Sequence, residues 1–376
     1  MLKIFVTGDN HIGKKYDRYP EVKEQLIQSR FDSLDSMVKR AEQEGCALFV
    51  ITGDLFDNVN TIRQKDIKQV VEILARFSGS VIVLPGNHDY YTGEEKVWKD
   101  FSNVLHTMEH NILLMTEMKP ISLDAGDESV MLYSAYCQSK HSKDNNLGWM
   151  KDMFFVPDVY HIGLAHGAID GITPDMNNEY FMMTEKELND IPVDVWLVGH
   201  THIPYPALST EQEAVGYKIF NPGTHAQTDL HNHTAGYGFV LRLDNQNGKK
   251  TVSAKAVQTG LIAFYDISVE VKGGESLKAA IENALSGLQT EAVIRLTVSG
   301  AVSSEDYQEK AAIYQKCLAP FLTYEVEDHT LCEIITEEKI RAEFAEISFA
   351  SSLLENLLDD PKAVQMTYEL LKRCQE

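Results

Sequence analysis

Five short clusters of Asp, Asn and His stand at the ends of apolar runs: Gly8-Asp9-Asn10-His11, Gly53-Asp54-Leu55-Phe56-Asp57, Gly86-Asn87-His88-Asp89, Ala165-His166-Gly167 and Gly199-His200-Thr201-His202. A chain with this set must bring together strand ends far apart in sequence. An open α/β sheet does so, because the C-terminal ends of its parallel strands converge on one crevice. Lys3 to Thr7, Ala47 to Thr52 and Ser80 to Leu84 read as the first three strands. Between them Leu26, Phe31, Leu34, Met37 and Val38, then Ile67, Val70, Val71, Ile73 and Leu74, recur at helical spacing. That is βαβαβ, which implies a parallel sheet with covered faces. Further β-like runs lie at Asn111 to Met115, Val130 to Ser134, Ile162 to Ala165, Val195 to Val198, Tyr217 to Phe220 and Tyr237 to Leu243. Residues 1–258 therefore read as one sheet-centred α/β domain.

Beyond that the texture changes. Residues 259–333 give strand, helix, strand, helix, strand (Tyr265 to Val271, Ser276 to Leu288, Val293 to Val298, Glu305 to Cys317, Thr323 to Val326), a small α+β unit. Residues 334–376 read as two short amphipathic helices, the first carrying Ile340, Phe344 and Ile347. The second opens on Asp360-Pro361, an N-cap followed by an N1 proline.

Composition narrows the function classes. With 34 Lys and Arg against 56 Asp and Glu, the formal charge is −22, so the molecule as a whole repels nucleic acid and anionic membranes. A polyanionic substrate must be held by something local. No apolar stretch approaches the ~18 residues of a membrane span. The five cysteines are scattered with no close pair, which argues against disulfides or a thiolate zinc site. The seven residues before Gly8 leave no room for a secretory signal, so the expected location is the cytoplasm.

A lone Asp-x-His at a strand end is ordinary turn chemistry, but five such clusters in order hold five of the chain's 13 histidines. Together they offer Asp, Asn and His donors and no thiolate, a set suited to Mn²⁺, Fe²⁺ or Zn²⁺. In an extended loop, Asp9 with His11 and His200 with His202 project to the same side and can each clasp an ion. Asp54 could bridge two ions about 3.5–4 Å apart, the separation used for in-line attack on phosphorus. His88, beside the candidate ligand Asn87, is placed to give a proton to the leaving oxygen.

The order Asp-x-His, Gly-Asp, Gly-Asn-His-Asp, His, Gly-His-x-His resembles the calcineurin-like metallophosphoesterase superfamily. Within it the chain most resembles the SbcD-type nuclease subunit of the DNA double-strand-break repair complex. Four features select that branch: Arg30-Phe31-Asp32-Ser33-Leu34 after the first motif, GNHD where protein phosphatases have GNHE, GDLFD without a following Arg-Gly, and GHTH followed by Asn221-Pro222-Gly223. The resemblance implies a four-layer α/β sandwich with a small α+β cap domain and C-terminal helices. It implies two divalent metal ions, Mn²⁺ first with Fe²⁺ or Zn²⁺ as alternatives. Asp9, His11, Asp54 and His202 would surround one, and Asp54, Asn87, His166 and His200 the other, with His88 as the acid. The implied activity is that of a 3′–5′ DNA exonuclease and endonuclease. The implied partners are DNA, an SbcC-like coiled-coil ATPase bound through the C-terminal helices, and a second copy of the chain. Asp57 stands where several members carry a histidine that steers exonuclease action.

Other residues have two readings. Lys14, Lys15 and Arg18 are either phosphate-backbone contacts or a solvated loop. Tyr90 and Tyr91 either stack on a base or pack. His225, with His231 and His233, either contacts substrate or belongs to a polar surface loop. Phe344, Ile347, Phe349, Leu353, Leu354, Leu357 and Leu358 either pack within the tail or dock a partner. The alternative to a nuclease is a small-molecule phosphodiesterase or phosphatase with the same metals.

Overall fold

The runs Leu2–Thr7, Leu48–Ile51 and Ser80–Val83 are apolar at almost every position and buried, as strands covered on both faces must be. The computed structural model describes residues 1–172, 179–209, 212–246, 248–272 and 274–374, which fall into two compact units, Met1–Ile262 and Ala263–Glu376. The first unit runs β1 (Leu2–Thr7), α1 (Lys23–Glu44), β2 (Leu48–Ile51), α2 (Gln64–Leu74), β3 (Ser80–Val83), α3 (Lys96–Leu105), β4 (Ile112–Leu114), β5 (Ile121–Ala125), β6 (Glu128–Ala135), β7 (Tyr160–His166), α4 (Glu185–Asp190), β8 (Val195–Gly199), β9 (Glu213–Val215), β10 (Ile219–Phe220), β11 (Tyr237–Gln246) and β12 (Lys249–Gln258).

These strands form two sheets, a division that the strand runs alone did not show. One has the order β4-β3-β2-β1-β11-β12-β9 and the other β10-β8-β7-β6-β5. In the first, β4 to β1 are parallel and β11, β12 and β9 antiparallel; in the second, only β5 runs against its neighbour. Alternation explains the layering. Phe5, Phe49, Ile51, Val81 and Val83 face α1, α2 and α3, where Leu34, Val70 and Phe101 meet them. Ile4, Val6, Leu48, Val50 and Ile82 face the second sheet's Leu132, Ile162, Leu164 and Leu197. The far face of that sheet, Tyr133, Ala165, Trp196 and Val198, packs with Leu188 of α4. The result is the α/β sandwich of four layers that the resemblance implied. Strands β5, β9 and β12 and helix α3 lie outside the runs read from the sequence.

The second unit is β13 (Ala263–Val271), α5 (Leu277–Leu285), β14 (Ala292–Val302), α6 (Ser304–Leu318) and β15 (Thr323–Glu333), a parallel three-stranded sheet, followed by α7 (Glu337–Glu343), α8 (Phe349–Glu355) and α9 (Pro361–Arg373). The tail thus holds three helices instead of two. α7 stops at Glu343, where the backbone of Phe344 turns extended (φ −123°, ψ 144°), and α8 starts anew where the Ser348 hydroxyl accepts the Ser351 N–H. Phe344 and Leu354 are buried with Ile340, Val364 and Tyr368, while Ile347 and Phe349 stand exposed. Asp360 caps α9 through the Ala363 N–H at 3.0 Å, with Pro361 at the first turn. No helix among the described residues is long and apolar enough to cross a membrane.

Trp98 anchors the helical layer. Its ring lies edge-on to Phe56 and Phe101 at 5.7 and 5.6 Å, and its indole N–H donates to the Asp89 carbonyl inside the third motif. Trp98→Ala is expected to cost about 3–5 kcal/mol of stability, measured by urea unfolding.

Candidate metal centre

Every motif begins where a strand ends. Past β1 the chain turns through Asp9 and His11 at φ 47° and 44°, past β2 through Asp54 at φ 52°, and past β8 through His200 at φ 110°. The left-handed region costs residues with side chains of order 1–3 kcal/mol each, so something must hold it. Backbone bonds do: the N–H groups of Asp9, His11 and Ile12 donate to the carbonyls of Gly53 (3.0 Å), Asp54 (2.9 Å) and Leu55 (2.9 Å). The first two motifs are thereby stitched together beyond the end of the β1–β2 ladder. Gly86 must be glycine, because a Cβ there would overlap the Asp54 carboxylate.

The two buried carboxylates divide their oxygens in the same way. Asp54 Oδ1 accepts the His88 backbone N–H at 2.8 Å, while Oδ2 lies 3.4 Å from His166 Nε2 and 3.9 Å from His11 Nε2. Asp9 Oδ2 accepts the His200 N–H at 3.0 Å, while Oδ1 lies 3.8 Å from His202 Nε2. His11 Nε2 and His202 Nε2 face each other at 3.0 Å. On the other side Asn87 Oδ1 lies 3.0 Å from both His166 Nε2 and His200 Nδ1. His166 Nδ1–H donates to the Thr52 carbonyl at 2.9 Å, which turns Nε2 and its lone pair inward.

The structure thus gathers Asp9, His11, Asp54, Asn87, His166, His200 and His202 into two groups that meet at Asp54. A cation fits them. Asp9 Oδ1 is buried and has no hydrogen-bond partner among the described residues, and Asp9, His11 and His202 bring ligand atoms within 4.8 Å of one another, as do Asp9, Asp54 and His166. Without an ion the charges are poorly matched. Burial pushes the Asp9 carboxyl up to about 7, against the pull of His166. Burial opposes charge on His166 too, yet Asp54 overrides it and holds the ring up at about 9; Asp54 itself stays well below the usual carboxylate range, the ion pair with His166 outweighing its burial. Burial, then the neighbouring His11, pushes His202 down to about 2, and burial lowers His11. His11 and His202 are thus kept neutral, as ligation of a divalent ion requires, while His166 must give up its proton to the ion.

His88 lies at the rim. Its Nδ1–H donates to the Asp57 carbonyl at 3.1 Å and its ring meets His11 edge-on at 4.8 Å. The Asp57 carboxylate lies 3.3 Å from His11 Nδ1, so Asp57 sits against both rings. Lys14, Lys15 and Arg18 line a cavity next to the first motif. Tyr90 and Tyr91 pack, partly buried, against the helix-side core. His225 corrects the sequence reading: it is buried, with Nε2 3.2 Å from the Arg30 carbonyl, so it touches no substrate, while His231 and His233 are exposed.

Two residues that matter were given no role from sequence. Arg30 of α1 is 2% exposed and donates from Nε and Nη2 to the Asn10 carbonyl at 2.9 and 2.6 Å, clamping the loop between Asp9 and His11. Asp89 accepts the Gly86 N–H at 2.7 Å and the Phe56 N–H at 2.9 Å, tying the third motif to the second; burial pushes it up to about 8. An arginine on the apolar face of α1, and the acid closing GNHD, were the available signals.

Asp54→Ala is expected to weaken metal retention in both groups at once, by more than the about 10–100-fold typical of losing an outer-sphere partner, read as metal content after dialysis. His166 and Asp9 hold protons that an incoming cation displaces, so binding is expected to release protons and affinity to rise with pH through about 7 and on toward about 9. Calorimetry in two buffers of different ionisation enthalpy reads the release.

Among curated proteins the chain is 27% identical over 197 residues to the uncharacterized metallophosphoesterase YhaO of Bacillus subtilis (strain 168), an alignment covering 51% of this chain and 45% of that one. The chain therefore spans less than half the length of that relative. Among solved structures it is similar to the calcineurin-like phosphoesterase YfkN from Bacillus subtilis (15% identity, TM-score 0.40, covering 68% of this chain and 89% of that one). It is also similar to a dimetal phosphatase from Danio rerio (11% identity, TM-score 0.38, covering 69% and 99%). Residues 2–204, which carry all five motifs, match the family model of the calcineurin-like phosphoesterases, and the chain belongs to that family of metal-dependent phosphoesterases.

Proposed function

We propose that this chain is a dinuclear-metal DNA phosphodiesterase of the SbcD type, a 3′–5′ exonuclease and endonuclease that processes DNA ends in double-strand-break repair. The observation that carries the dinuclear reading is the position of Asp54 Oδ2 between His11 of one ligand group and His166 of the other. The DNA assignment is supported by sequence: RFDSL in α1, GNHD, GDLFD, and GHTH followed by Asn221-Pro222-Gly223. Asp9, His11, Asp54 and His202 would hold one ion and Asp54, Asn87, His166 and His200 the other. Mn²⁺ is the first choice for oxygen and imidazole donors without thiolate, with Fe²⁺ or Zn²⁺ as alternatives. The chemistry such a pair supplies is activation of water near neutral pH and neutralisation of phosphoryl charge. The chain's own proton donor is His88: Asp57 O fixes the ring through Nδ1–H, which leaves Nε2 to deliver a proton to the leaving oxygen.

In this reading residues 259–333 form a capping domain and residues 334–376 dock an SbcC-like coiled-coil ATPase, whose basic surface holds DNA that a chain of charge −22 repels. The working form is a cytoplasmic homodimer. The same charge favours a second reading, a small-molecule phosphodiesterase or phosphatase.

Purified protein in Mn²⁺, alone or with the ATPase, is expected to cleave labelled single-stranded and duplex DNA. His88→Ala is expected to lower that rate by about 10²–10⁴-fold while metal content is unchanged. DNA left intact alongside hydrolysis of bis-p-nitrophenyl phosphate would establish the second reading instead.

A further inference from the structure

We propose that the cavity beside the first metal-ligating loop is a subsite for a second phosphate of the substrate, one belonging to a neighbouring nucleotide of a DNA strand. The inference rests on the phosphodiesterase reading above and names how the same site would hold a chain rather than a single ester. The cavity, about 180 Å³, is lined on one side by Lys14, Lys15 and Arg18 and on the other by Thr228, Asp229 and His231. At a share of about 30 Å³ per water in the liquid, it holds a phosphate group and several waters.

Both walls hang from the metal-ligating backbone. Lys14 N–H donates to the His11 carbonyl at 3.1 Å. The opposite wall starts at Thr224, whose hydroxyl donates to the Asp9 carbonyl at 2.9 Å, and returns at Thr234, whose hydroxyl donates to the His202 carbonyl at 3.2 Å. The floor is fixed before any ligand arrives, because buried Tyr16 takes a hydrogen bond from Arg30 Nη1 at 3.0 Å.

The charge of the cavity runs against that of the molecule. Lys14, Lys15 and Arg18 share the lining with a single carboxylate, Asp229, in a chain of net charge −22. That carboxylate is engaged in its own turn, with Asp229 Oδ1 accepting the N–H groups of His231 (2.9 Å) and Asn232 (3.2 Å). Neither Lys14 nor Lys15 forms an ion pair with a carboxylate among the described residues. The Thr228 hydroxyl adds a neutral donor of the kind that lines phosphate contacts.

Spacing is compatible with a phosphate that neighbours the one being cleaved. The scissile group belongs on the ligands around Asp54, and three residues of chain place Lys14 within about 10 Å of His11. A nucleic-acid strand carries a phosphate about every 3.4 Å of axis, so one of the next few phosphates falls in that range.

The test is fluorescence anisotropy of a 5′-labelled thymidine octamer on the full-length, Mn²⁺-loaded His88→Ala protein across a series of salt concentrations. Lys15→Gln with Arg18→Gln is expected to raise Kd by about tenfold or more and to flatten the slope of log K against log salt by about 1.4, two cations at about 0.7 each on a single strand. Lys65→Gln with Lys68→Gln, the same loss of two charges on α2, is expected to alter neither. An unchanged Kd and slope in the double variant overturn the subsite. Thymidine 3′,5′-bisphosphate displacing the octamer as well as an unlabelled octamer does would assign the cavity to a free nucleotide and overturn the strand assignment. Wild-type turnover of bis-p-nitrophenyl phosphate is measured beside these. Absent turnover with an intact binding effect would sink the phosphodiesterase reading and leave the subsite standing.

Discussion

Packing carboxylates out of water is the constraint around which this molecule is arranged. Asp9, Asp54 and Asp89 are all essentially inaccessible to solvent, and an unpaired buried charge is among the most unfavourable things a protein can contain. The three are handled in two ways. Asp89 has both oxygens on backbone N–H groups and is drawn toward its neutral form, so it acts as a structural tie. Asp9 and Asp54 each give one oxygen to a backbone N–H and turn the other on imidazole nitrogens. A divalent cation would complete that half-satisfied state, in keeping with membership of a family of metal-dependent phosphoesterases.

The scaffold keeps the arrangement from relaxing. Four ligand-bearing residues sit at positive φ, held by hydrogen bonds that run from one motif to the next. Arg30, fully buried with no carboxylate within salt-bridge distance among the described residues, gives its guanidinium to the Asn10 carbonyl and the Tyr16 hydroxyl. Bonds from a charged donor to neutral acceptors are worth roughly 1.5–3 kcal/mol each, enough to pin a short strained loop. The first loop is in effect an extension of α1. The same guanidinium holds Tyr16 in the lining of the neighbouring basic cavity, so one side chain braces both.

Much of this was legible in the sequence, for physical reasons that differ by element. The five motifs could be read because their residue types are costly where they stand and make sense only together. β1, β2, β3 and the parallel βαβαβ of the second unit could be read because buried parallel strands are continuously apolar. The division into two sheets could not: alternation tells which face of a strand is buried and not which sheet it joins. β12, Lys-Lys-Thr-Val-Ser-Ala-Lys-Ala-Val-Gln, passes for a solvated stretch until β11 is seen beside it. His225 looked like part of a polar loop because its neighbours are polar; its burial is decided by Arg30, 195 residues away. The split between α7 and α8 lies in the extended backbone at Phe344 and the Ser348 cap, neither of which a helical period registers.

The first sheet has a consequence for how the molecule comes into being. β1 sits between β2, whose register with it spans residues 48 to 51, and β11, which pairs Leu2 with Leu243 and Val6 with Phe239. During synthesis the strand that leads into Asp9 and His11 therefore waits for nearly a quarter of a thousand residues with one edge open, an exposure that invites mispairing. Closing so long a loop also makes the central pairing an inherently slow step. The ribosome must hand over most of the first unit before its innermost strand is safe.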